Sequence, residues 1–223
     1  MDLLDRSAEH YDTVEAMFLD CGLLYRRMSM RAAGMKKGMK VLDVATGTGA
    51  LARGAKRNVG ETGRVFGVAP NRGMLTETKK SHSLPLTRGV AQQLPFESNS
   101  FDFVTMGIAL RHVLDLAAAF SEYLRVLKPG GRLWILDSHV AKSKFGHWMT
   151  KQVWGRIVPG MTFMFTRSKD AKLLMDYYWD TVEQCVEPPV IVEALKRAGF
   201  DRARSRVMLP GGLCEYKGSK PGA

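Results

Sequence analysis

The sequence has few cysteines, no long apolar run and no residue spacing typical of a metal site. It contains three cysteines, Cys21, Cys185 and Cys214. Because they lie far apart and are odd in number, we expect neither a disulfide framework nor a cysteine zinc site, and we expect a reduced, cytoplasmic setting. Histidines and carboxylates show no ligand pattern either, so no metal is expected.

Hydropathy predicts neither a membrane span nor a secretory signal. The most apolar late stretch, residues 153–165, is interrupted by Arg156 and Pro159, and a span needs roughly 18 apolar residues. The segment 1–12 is acidic and polar, unlike the basic and apolar segments of a signal peptide. The expected class is therefore an ordinary globular protein.

Acidic residues are outnumbered, with 22 Asp and Glu against 33 Lys and Arg, and the formal net charge is +11. Such a charge attracts nucleic acid, acidic membrane surfaces or phosphorylated ligands without selecting among them. A basic cluster without intervening acids lies in residues 26–40: Arg26, Arg27, Arg31, Lys36, Lys37 and Lys40. We interpret it either as a solvated face or as a contact surface for lipid headgroups or an anionic substrate.

Alternating strand and helix patterns begin at residue 39. The strand-like runs are 39–45, 64–69, 86–90, 101–106 and 132–137, separated by helix-like segments near 50–58, 71–80 and 116–127. This alternation predicts an α/β fold of Rossmann-like, doubly wound type, with helices on both faces of a parallel sheet. The Lys-Pro-Gly-Gly segment, 128–131, predicts the end of a helix and a turn into the fifth strand.

We expect a single domain over residues 1–223, with four segments. They are an N-terminal helical cap (1–38), a core (39–137), an aromatic-rich helical insertion after strand five (138–187) and a final helix with two strands (188–223). We expect the insertion to pack over one edge of the sheet, with part of its aromatic side chains lining an apolar pocket.

The most informative motif is Val41-Leu-Asp-Val-Ala-Thr-Gly-Thr-Gly49. Gly47 and Gly49 allow a tight turn and a close approach of the backbone to a ligand, and a helix begins near Ala50. With Ala52 in place of a third glycine, the motif also matches the dinucleotide fingerprint. Asp43 inside the motif favours another cofactor, because it can orient loop amides or a ligand ammonium group.

The set of motifs resembles class I S-adenosylmethionine (SAM) dependent methyltransferases, most closely the UbiE-type group that C-methylates ubiquinone and menaquinone precursors. The resemblance is carried by Asp43-x-Ala-x-Gly-Thr-Gly49, Asn71-Arg-Gly-Met-Leu75, Ala91-Gln-Gln-Leu-Pro-Phe96, Leu110-Arg-His-Val113 and Val126-Leu-Lys-Pro-Gly-Gly131. It implies a mostly parallel sheet of about seven strands whose last strand is antiparallel.

The resemblance also implies SAM as the cofactor. The loop after strand one would hold its methionine end, with Asp43, Ala45, Thr46, Gly47, Thr48 and Gly49. The loop after strand two would cover ribose and adenine, with Ala69, Pro70, Asn71 and Met74. The segment after strand three would lie along the edge of the adenine, with Val90, Ala91 and Gln92. The segment at the end of strand four would lie beside the sulfonium, with Met106, Gly107, Ile108 and Ala109.

Two positions depart from the family pattern. Ala69 occupies the place of the acid that binds the ribose hydroxyls, and Val90 the place of an acid near the adenine. A hydrogen bond to a charged acceptor contributes about 1.5–3 kcal/mol, so the first loss alone weakens binding roughly 10- to 100-fold. Three alternatives for the SAM site therefore stay open. Its affinity is weakened, or Asn71 or Gln92 substitutes for the missing acids, or the site no longer binds SAM.

Four residues are candidates for chemistry on the acceptor. His112 follows strand four and His139 follows strand five, near Asp137, so each is either a general base with a pKa near the operating pH or a structural histidine. Arg111 would bind an anionic oxygen or form an ion pair. Tyr11 would cap the active site if the N-terminal helix folds over it.

The expected function is SAM-dependent methyl transfer to an apolar, aromatic or quinone-like small molecule. One alternative is a homologue that has lost SAM binding and acts as a partner or binding protein. Another is a nucleic-acid methyltransferase, which the sequence Thr105-Met-Gly-Ile108 disfavours because it lacks the Asn/Asp-Pro-Pro-Tyr turn used on base nitrogens. A nicotinamide-dependent dehydrogenase is the last.

Overall fold

The computed structural model describes residues 24–81, 84–140, 143–167, 169–183, 185–209 and 212–222. Its strands are β1 (Lys40–Val44), β2 (Arg64–Ala69), β3 (Leu86–Arg88), β4 (Phe101–Gly107), β5 (Leu127–Ser138), β6 (Asp201–Leu209) and β7 (Leu213–Ser219). Its helices are α1, described over residues 24–32, and α2 (Ala50–Val59), α3 (Arg72–Ser81), α4 (Leu116–Val126), α5 (Lys144–Gln152), α6 (Val158–Thr166), α7 (Lys169–Glu183) and α8 (Pro188–Arg197).

The strands form one sheet in the order β3-β2-β1-β4-β5-β7-β6. Strands β1 to β5 are parallel, and β7 runs antiparallel to both β5 and β6. The predicted seven-stranded, doubly wound fold is confirmed. In such a sheet the chain reverses its direction of winding between β1 and β4, and ligands bind at the carboxyl ends of the strands there.

The hydrophobic core has two layers, one on each face of the sheet. Leu133 and Ile135 of β5 pack with helices α4 and α8 on one face. Trp134 and Leu136 point to the other face, toward Met30 of α1 and the helix α2. Alternate residues of a strand point to opposite faces, so β5 is apolar from Leu133 to Leu136 and contributes to both layers, and the buried polar residues Asp137 and Ser138 follow at its end.

Two strand ends differ from the prediction. Strand β5 begins at Leu127, and residues 128–131 form an irregularity between the pairs Phe101↔Leu127 and Phe103↔Arg132. Gly130 has a φ of +74°, and its amide donates to the Lys220 carbonyl, so the C-terminal tail keeps this bulge in the sheet. Strand β3 ends at Arg88, because Val90 pairs with Gln93 in an isolated bridge.

The basic cluster is not a uniform solvated face. The Arg26 residue is 4% exposed, which corrects that interpretation for this residue. The Lys40 ammonium lies 4.9 Å from the Phe101 ring centroid and 5.2 Å from that of Phe66. Arg31, Lys36 and Lys37 are exposed, and the last two lie just before β1, at the amino edge of the sheet.

The insertion after β5 is helical, as predicted. Helix α5, a π-helical turn (Val153–Ile157) and α6 follow one another without a break, and both α6 and the π-helical turn contact α7. Within the described residues no helix is both long and apolar enough to cross a bilayer. The division of the chain into four segments stays a prediction.

Candidate functional site

The loop between β1 and α2 adopts left-handed backbone conformations. Gly47 and Gly49 have φ values of +57° and +87°, and Ala45 has +55°. Only glycine adopts this region without strain, which explains both glycines of the motif. The Thr46 amide donates to the Val68 carbonyl over 3.1 Å, and this hydrogen bond connects the loop to the end of β2.

The carboxylate of Asp43 holds this loop in place through hydrogen bonds. It is 1% exposed, and its two oxygens accept hydrogen bonds from the hydroxyls of Thr46 and Thr105, both over 2.7 Å. Burial raises the pKa of Asp43 to about 6, although both hydroxyls and the charge of Arg26 act in the opposite direction. At pH 7 the carboxylate is therefore mostly ionised and ties the glycine loop to β4.

The segment after β2 places a buried amide in the predicted ribose region. Asn71 is buried, and its Nδ2 has no hydrogen-bond partner among the described residues; the same holds for Thr48 Oγ1 in the glycine loop. Buried polar atoms are rarely left unpaired. Both atoms lie in segments that sequence reasoning assigned to the cofactor.

The other predicted cofactor residues divide by burial. Pro70, Ala91, Gln92, Gly107 and Ala109 are half-buried, and Val90 is exposed. The residues Ala69, Met74 and Met106 are buried. Met106 is fully enclosed in the core and its sulfur lies 3.8 Å from the Tyr123 hydroxyl, so its side chain offers no surface to a ligand.

Ile108 marks the end of β4 with a strained backbone. Its φ is +52°, which is an outlier for a β-branched residue and a feature that clusters at functional sites. The conformation is held by hydrogen bonds of 2.7 Å from the Ile108 amide to Leu136 and from Arg111 Nη1 to the Ile108 carbonyl. Ala45 and Ile108 thus follow two neighbouring strands, β1 and β4, at the carboxyl edge.

Arg111 is an ion-pair residue. Its Nη1 lies 3.3 Å from Asp137 Oδ1, and the two side chains are 6% and 4% exposed. Its Nε donates to Thr181 Oγ1 of α7 over 3.0 Å. Of the two predicted roles, the geometry favours the ion pair, which joins the loop after β4 to β5 and to the insertion.

His112 stacks on Tyr177 of α7. The ring centroids are 5.8 Å apart with an interplanar angle of 2°, and the Tyr177 hydroxyl lies 3.5 Å from His112 Nδ1. His112 is exposed to solvent; the protein packed against the rest of its ring and, to a smaller extent, the charge of Arg111 lower the pKa of His112 to about 4. The pKa lies below the near-neutral value expected of a general base, and the choice between a general base and a structural histidine stays a prediction.

His139 lies at a different part of the same edge. It lines an open cavity of about 730 Å³ together with Lys144, His147, Glu183 and Cys185, and its amide donates to the Gly212 carbonyl over 2.9 Å. Tyr11 lies outside the described residues. Among those described, no group of three His, Cys, Asp or Glu side chains is arranged to hold a metal.

Comparison with known proteins agrees with this architecture. The model of the ubiE/COQ5 methyltransferase family matches residues 1–220. The chain belongs to this family. It is an enzyme, a SAM-dependent methyltransferase, so the predicted family, enzyme class and cofactor are confirmed, and the binding-protein and nucleic-acid alternatives are not favoured.

Relatives and structures support the assignment. The UbiE ubiquinone/menaquinone biosynthesis C-methyltransferase of Shewanella halifaxensis is 30% identical over 225 aligned positions, covering 96% of this chain and 87% of the relative. The demethylmenaquinone methyltransferase of Staphylococcus saprophyticus is 34% identical over 204, covering 88% and 84%. A crystal structure of a SAM dependent methyltransferase from Aquifex aeolicus has the same fold, with a TM-score of 0.68, 17% identity and coverage of 97% and 98%.

The residues of this methyltransferase fit the cofactor, and two of them were missed by sequence reasoning. Unpaired Thr48 Oγ1 and Asn71 Nδ2 suit a ligand with hydroxyl and carboxylate groups. Thr78 of α3 is fully buried and donates to the Gly47 carbonyl over 2.7 Å. Arg26 is near enough to influence the pKa of Asp43. Only the tertiary packing of α1 and α3 brings these two residues to the glycine loop.

Proposed function

We propose that this methyltransferase transfers the methyl group of SAM to a carbon of a quinone-like acceptor. The observation that carries the proposal is the similarity, over most of the chain, to relatives named as ubiquinone/menaquinone C-methyltransferase and demethylmenaquinone methyltransferase. The small-molecule class of acceptor agrees with an aromatic-rich insertion next to the carboxyl edge of the sheet. We place the reaction in the cytoplasm.

We assign the cofactor to the crevice between the ends of β1, β2 and β4. SAM supplies a methyl group that is already activated on a sulfonium, so the protein mainly aligns the reactants and excludes water. Asp43 orients the glycine loop around the methionine end. Asn71 donates to a ribose hydroxyl, a role that partly compensates for Ala69.

We further assign Arg26 to the carboxylate of the methionine end. Arg26 is 4% exposed, and its positive charge lowers the pKa of Asp43, so this charge lies close to the glycine loop. A second anion at this place would therefore be stabilised. Helix α1 thus contributes to the cofactor site as well as to the core.

On the acceptor side we propose one ion pair that positions a loop and three residues that act on the acceptor or cover it. Arg111 and Asp137 position the loop after β4, since both side chains are almost fully buried. His112 is uncharged at neutral pH because of its lowered pKa, so it accepts a hydrogen bond from an acceptor hydroxyl. His139 is retained as the second candidate base and Tyr11 as a cap over the site.

The exposed part of the basic cluster, Arg31, Lys36 and Lys37, is proposed as an electrostatic contact with anionic lipid headgroups. Its support is the exposure of all three side chains. Each basic residue close to an anionic surface contributes about 1 kcal/mol, so three such residues give weak and salt-sensitive binding.

The decisive experiment incubates the purified chain with methyl-labelled SAM and a reduced 1,4-naphthoquinone that lacks a ring methyl. We expect label in the organic extract and a product methylated on ring carbon, identified by mass and NMR. The Gly49→Val variant, whose side chain cannot adopt the left-handed loop, is the control without a cofactor site. Binding of S-adenosylhomocysteine (SAH) without any transfer would contradict the acceptor, and absence of SAH binding would contradict the assigned cofactor site.

A further inference from the structure

The insertion helix α5–α6 exposes a row of large apolar side chains. They recur at intervals of one to four residues along the helix and are all at least 38% exposed: Phe145, Trp148, Met149, Val153, Ile157, Met161, Phe163 and Met164. Phe145 and Trp148 stack on each other at 6.1 Å. A contiguous apolar patch of this kind is rare on a soluble monomer and marks a contact surface.

The opposite face of the same helix is already covered. Thr150, Val158 and Thr162 are buried, and a side-chain carbon at Gly155 would lie 3.2 Å from the Trp179 ring of α7. The helix is therefore fully packed on its inner side. The exposed row is not a core face left open by a missing neighbour in the described fold.

Charge identifies the kind of partner. Residues 138–169 contain Lys and Arg but no Asp or Glu, and Lys144, Arg156 and Arg167 are exposed beside the apolar row. Helices with Trp, Phe and Leu-like residues on one side and basic residues around them lie in the interface of anionic membranes. A second copy seated on this row would bring the same basic side chains together, which is unfavourable.

The row also lies at the edge where the reaction takes place. Strand β5 leads into the insertion at its carboxyl end, and α7 contacts Arg111 and His112 through Thr181 and Tyr177. Lys36 and Lys37 precede β1 and lie at the other edge. The headgroup contact proposed above for Arg31, Lys36 and Lys37 would therefore turn the active edge away from the bilayer, whereas contact through the insertion would turn that edge toward it, so the two contacts are alternatives.

We propose that the exposed apolar row of the insertion helix α5–α6 inserts into the headgroup region of an anionic lipid bilayer. The neighbouring basic side chains then contact the phosphate groups. This inference goes beyond the proposed reaction and does not depend on the identity of the acceptor.

The test measures cosedimentation of the full chain with vesicles of phosphatidylcholine and phosphatidylglycerol, without cofactor or quinone. We expect binding that persists partly at high salt. We also expect the double variant Trp148→Ser/Ile157→Ser to lower the partition coefficient at least about tenfold, since it removes two exposed apolar side chains that would become buried in the bilayer. The control Met28→Ser/Val190→Ser changes two apolar residues that are similarly exposed elsewhere and should bind like wild type. Melting temperatures establish that both variants fold.

Three results would overturn the proposal. The first is unchanged binding of the Trp148→Ser/Ile157→Ser variant. The second is binding that disappears completely with salt and with Lys36→Glu/Lys37→Glu alone. The third is a concentration-dependent dimer in light scattering that Trp148→Ser dissociates while vesicles bind no protein, which would make the row an interface between two copies. Because no methyl transfer is measured, these outcomes are independent of the proposed reaction; the second result would instead favour the headgroup contact proposed for Lys36 and Lys37.

Discussion

Thr48 Oγ1 and Asn71 Nδ2 are buried without a hydrogen-bond partner among the described residues, whereas the carboxylate of Asp43 nearby is bonded on both oxygens. The contrast separates two tasks at the residue scale. Asp43 stabilises the loop, whereas the unpaired atoms are available to hydrogen-bond a ligand. Leaving a buried polar atom unpaired costs about 1–3 kcal/mol. Binding of a polar ligand removes that cost.

The first prediction concerns Asn71. We expect Asn71→Ala to weaken SAH binding by about twofold to tenfold, because it removes one neutral hydrogen bond of about 0.5–1.5 kcal/mol. Isothermal titration calorimetry measures the change. The control is Thr76→Ala, which removes an exposed hydroxyl further along α3 and should leave the affinity unchanged.

The converse substitution tests the same region. Ala69→Asp restores a carboxylate at the end of β2 and should tighten SAH binding, since charged acceptors form the stronger hydrogen bonds with hydroxyls. If Asn71→Ala and Ala69→Asp both bind like wild type, the ribose lies elsewhere.

The second prediction concerns pH. The pKa of Asp43 is raised to about 6, so this carboxyl becomes protonated as the pH falls through that value and can no longer accept from both threonine hydroxyls. We expect SAH affinity to decrease over the same interval. The stability of the ligand-free chain changes in the opposite direction. A raised carboxyl pKa favours folding at low pH, and this contribution is lost as the pH rises from the unfolded pKa of 3.8 through the folded pKa of about 6.

The variant Asp43→Asn provides the control for that titration. It keeps the shape but cannot ionise, so its SAH affinity should be low and nearly constant between neutral and mildly acidic pH. Calorimetry at several pH values gives both curves. An affinity of the wild-type chain that does not vary around pH 6 would show that the ionised carboxylate of Asp43 is not required.

At the scale of elements, the sequence predicted what depends on local periodicity and missed what depends on distant neighbours. Strand β2 and helix α4 were located to within one residue because their apolar spacing and flanking turns are strong. The bulge at residues 128–131 was expected as a turn, since only the C-terminal tail around Lys220 keeps it paired. Likewise, nothing local in helix α1 indicates that Arg26 is buried while Arg31 is exposed.

Helix α1 is attached to the sheet by a buried carboxylate. Glu215 of β7 is 2% exposed and accepts from the Tyr25 hydroxyl over 2.9 Å, from Trp134 Nε1 over 3.2 Å and from Lys217 Nζ over 2.8 Å. Burial by itself raises the pKa of Glu215, but the hydrogen bonds from Lys217, Ser29 and Tyr25 outweigh it and hold the pKa below its ordinary value. Its stabilising contribution is therefore present above the unfolded pKa and lost as the pH falls through the lower, folded pKa.

The third prediction follows from this attachment. We expect Glu215→Ala to lower the melting temperature by about 5–10 °C, because the buried Trp134 indole, the half-buried Tyr25 hydroxyl and the Lys217 ammonium all lose this acceptor, at a cost of about 2–3 kcal/mol. Hydrogen exchange in residues 24–32 should accelerate at the same time. Glu193→Ala is the control, since that glutamate is exposed and forms an ion pair with Arg197 one turn away in α8; equal effects of the two variants would contradict the role given to Glu215.

For the whole molecule, the sheet separates two chemically different edges. The amino edge carries Lys36 and Lys37, and the carboxyl edge carries the glycine loop, the Arg111–Asp137 ion pair and the insertion. The assigned cofactor site draws on the ends of β1, β2 and β4 together with residues of α1 and α3. A ligand that fills it joins elements that are far apart in the sequence, so it should stabilise the fold as a unit.

The fourth prediction is that SAH raises the melting temperature of the entire chain. A ligand at about 100 times its dissociation constant stabilises the native state by about 2.7 kcal/mol, which for a chain of this size corresponds to about 5–10 °C. Differential scanning fluorimetry over a series of SAH concentrations gives the shift, and the Gly49→Val variant should show none.

NADH is the control ligand, because the glycine motif alone also matches a dinucleotide site. A shift with NADH equal to that with SAH would mean that the crevice recognises only the adenosine moiety, and the assignment of Asp43, Arg26 and the glycine loop to the methionine end would fail.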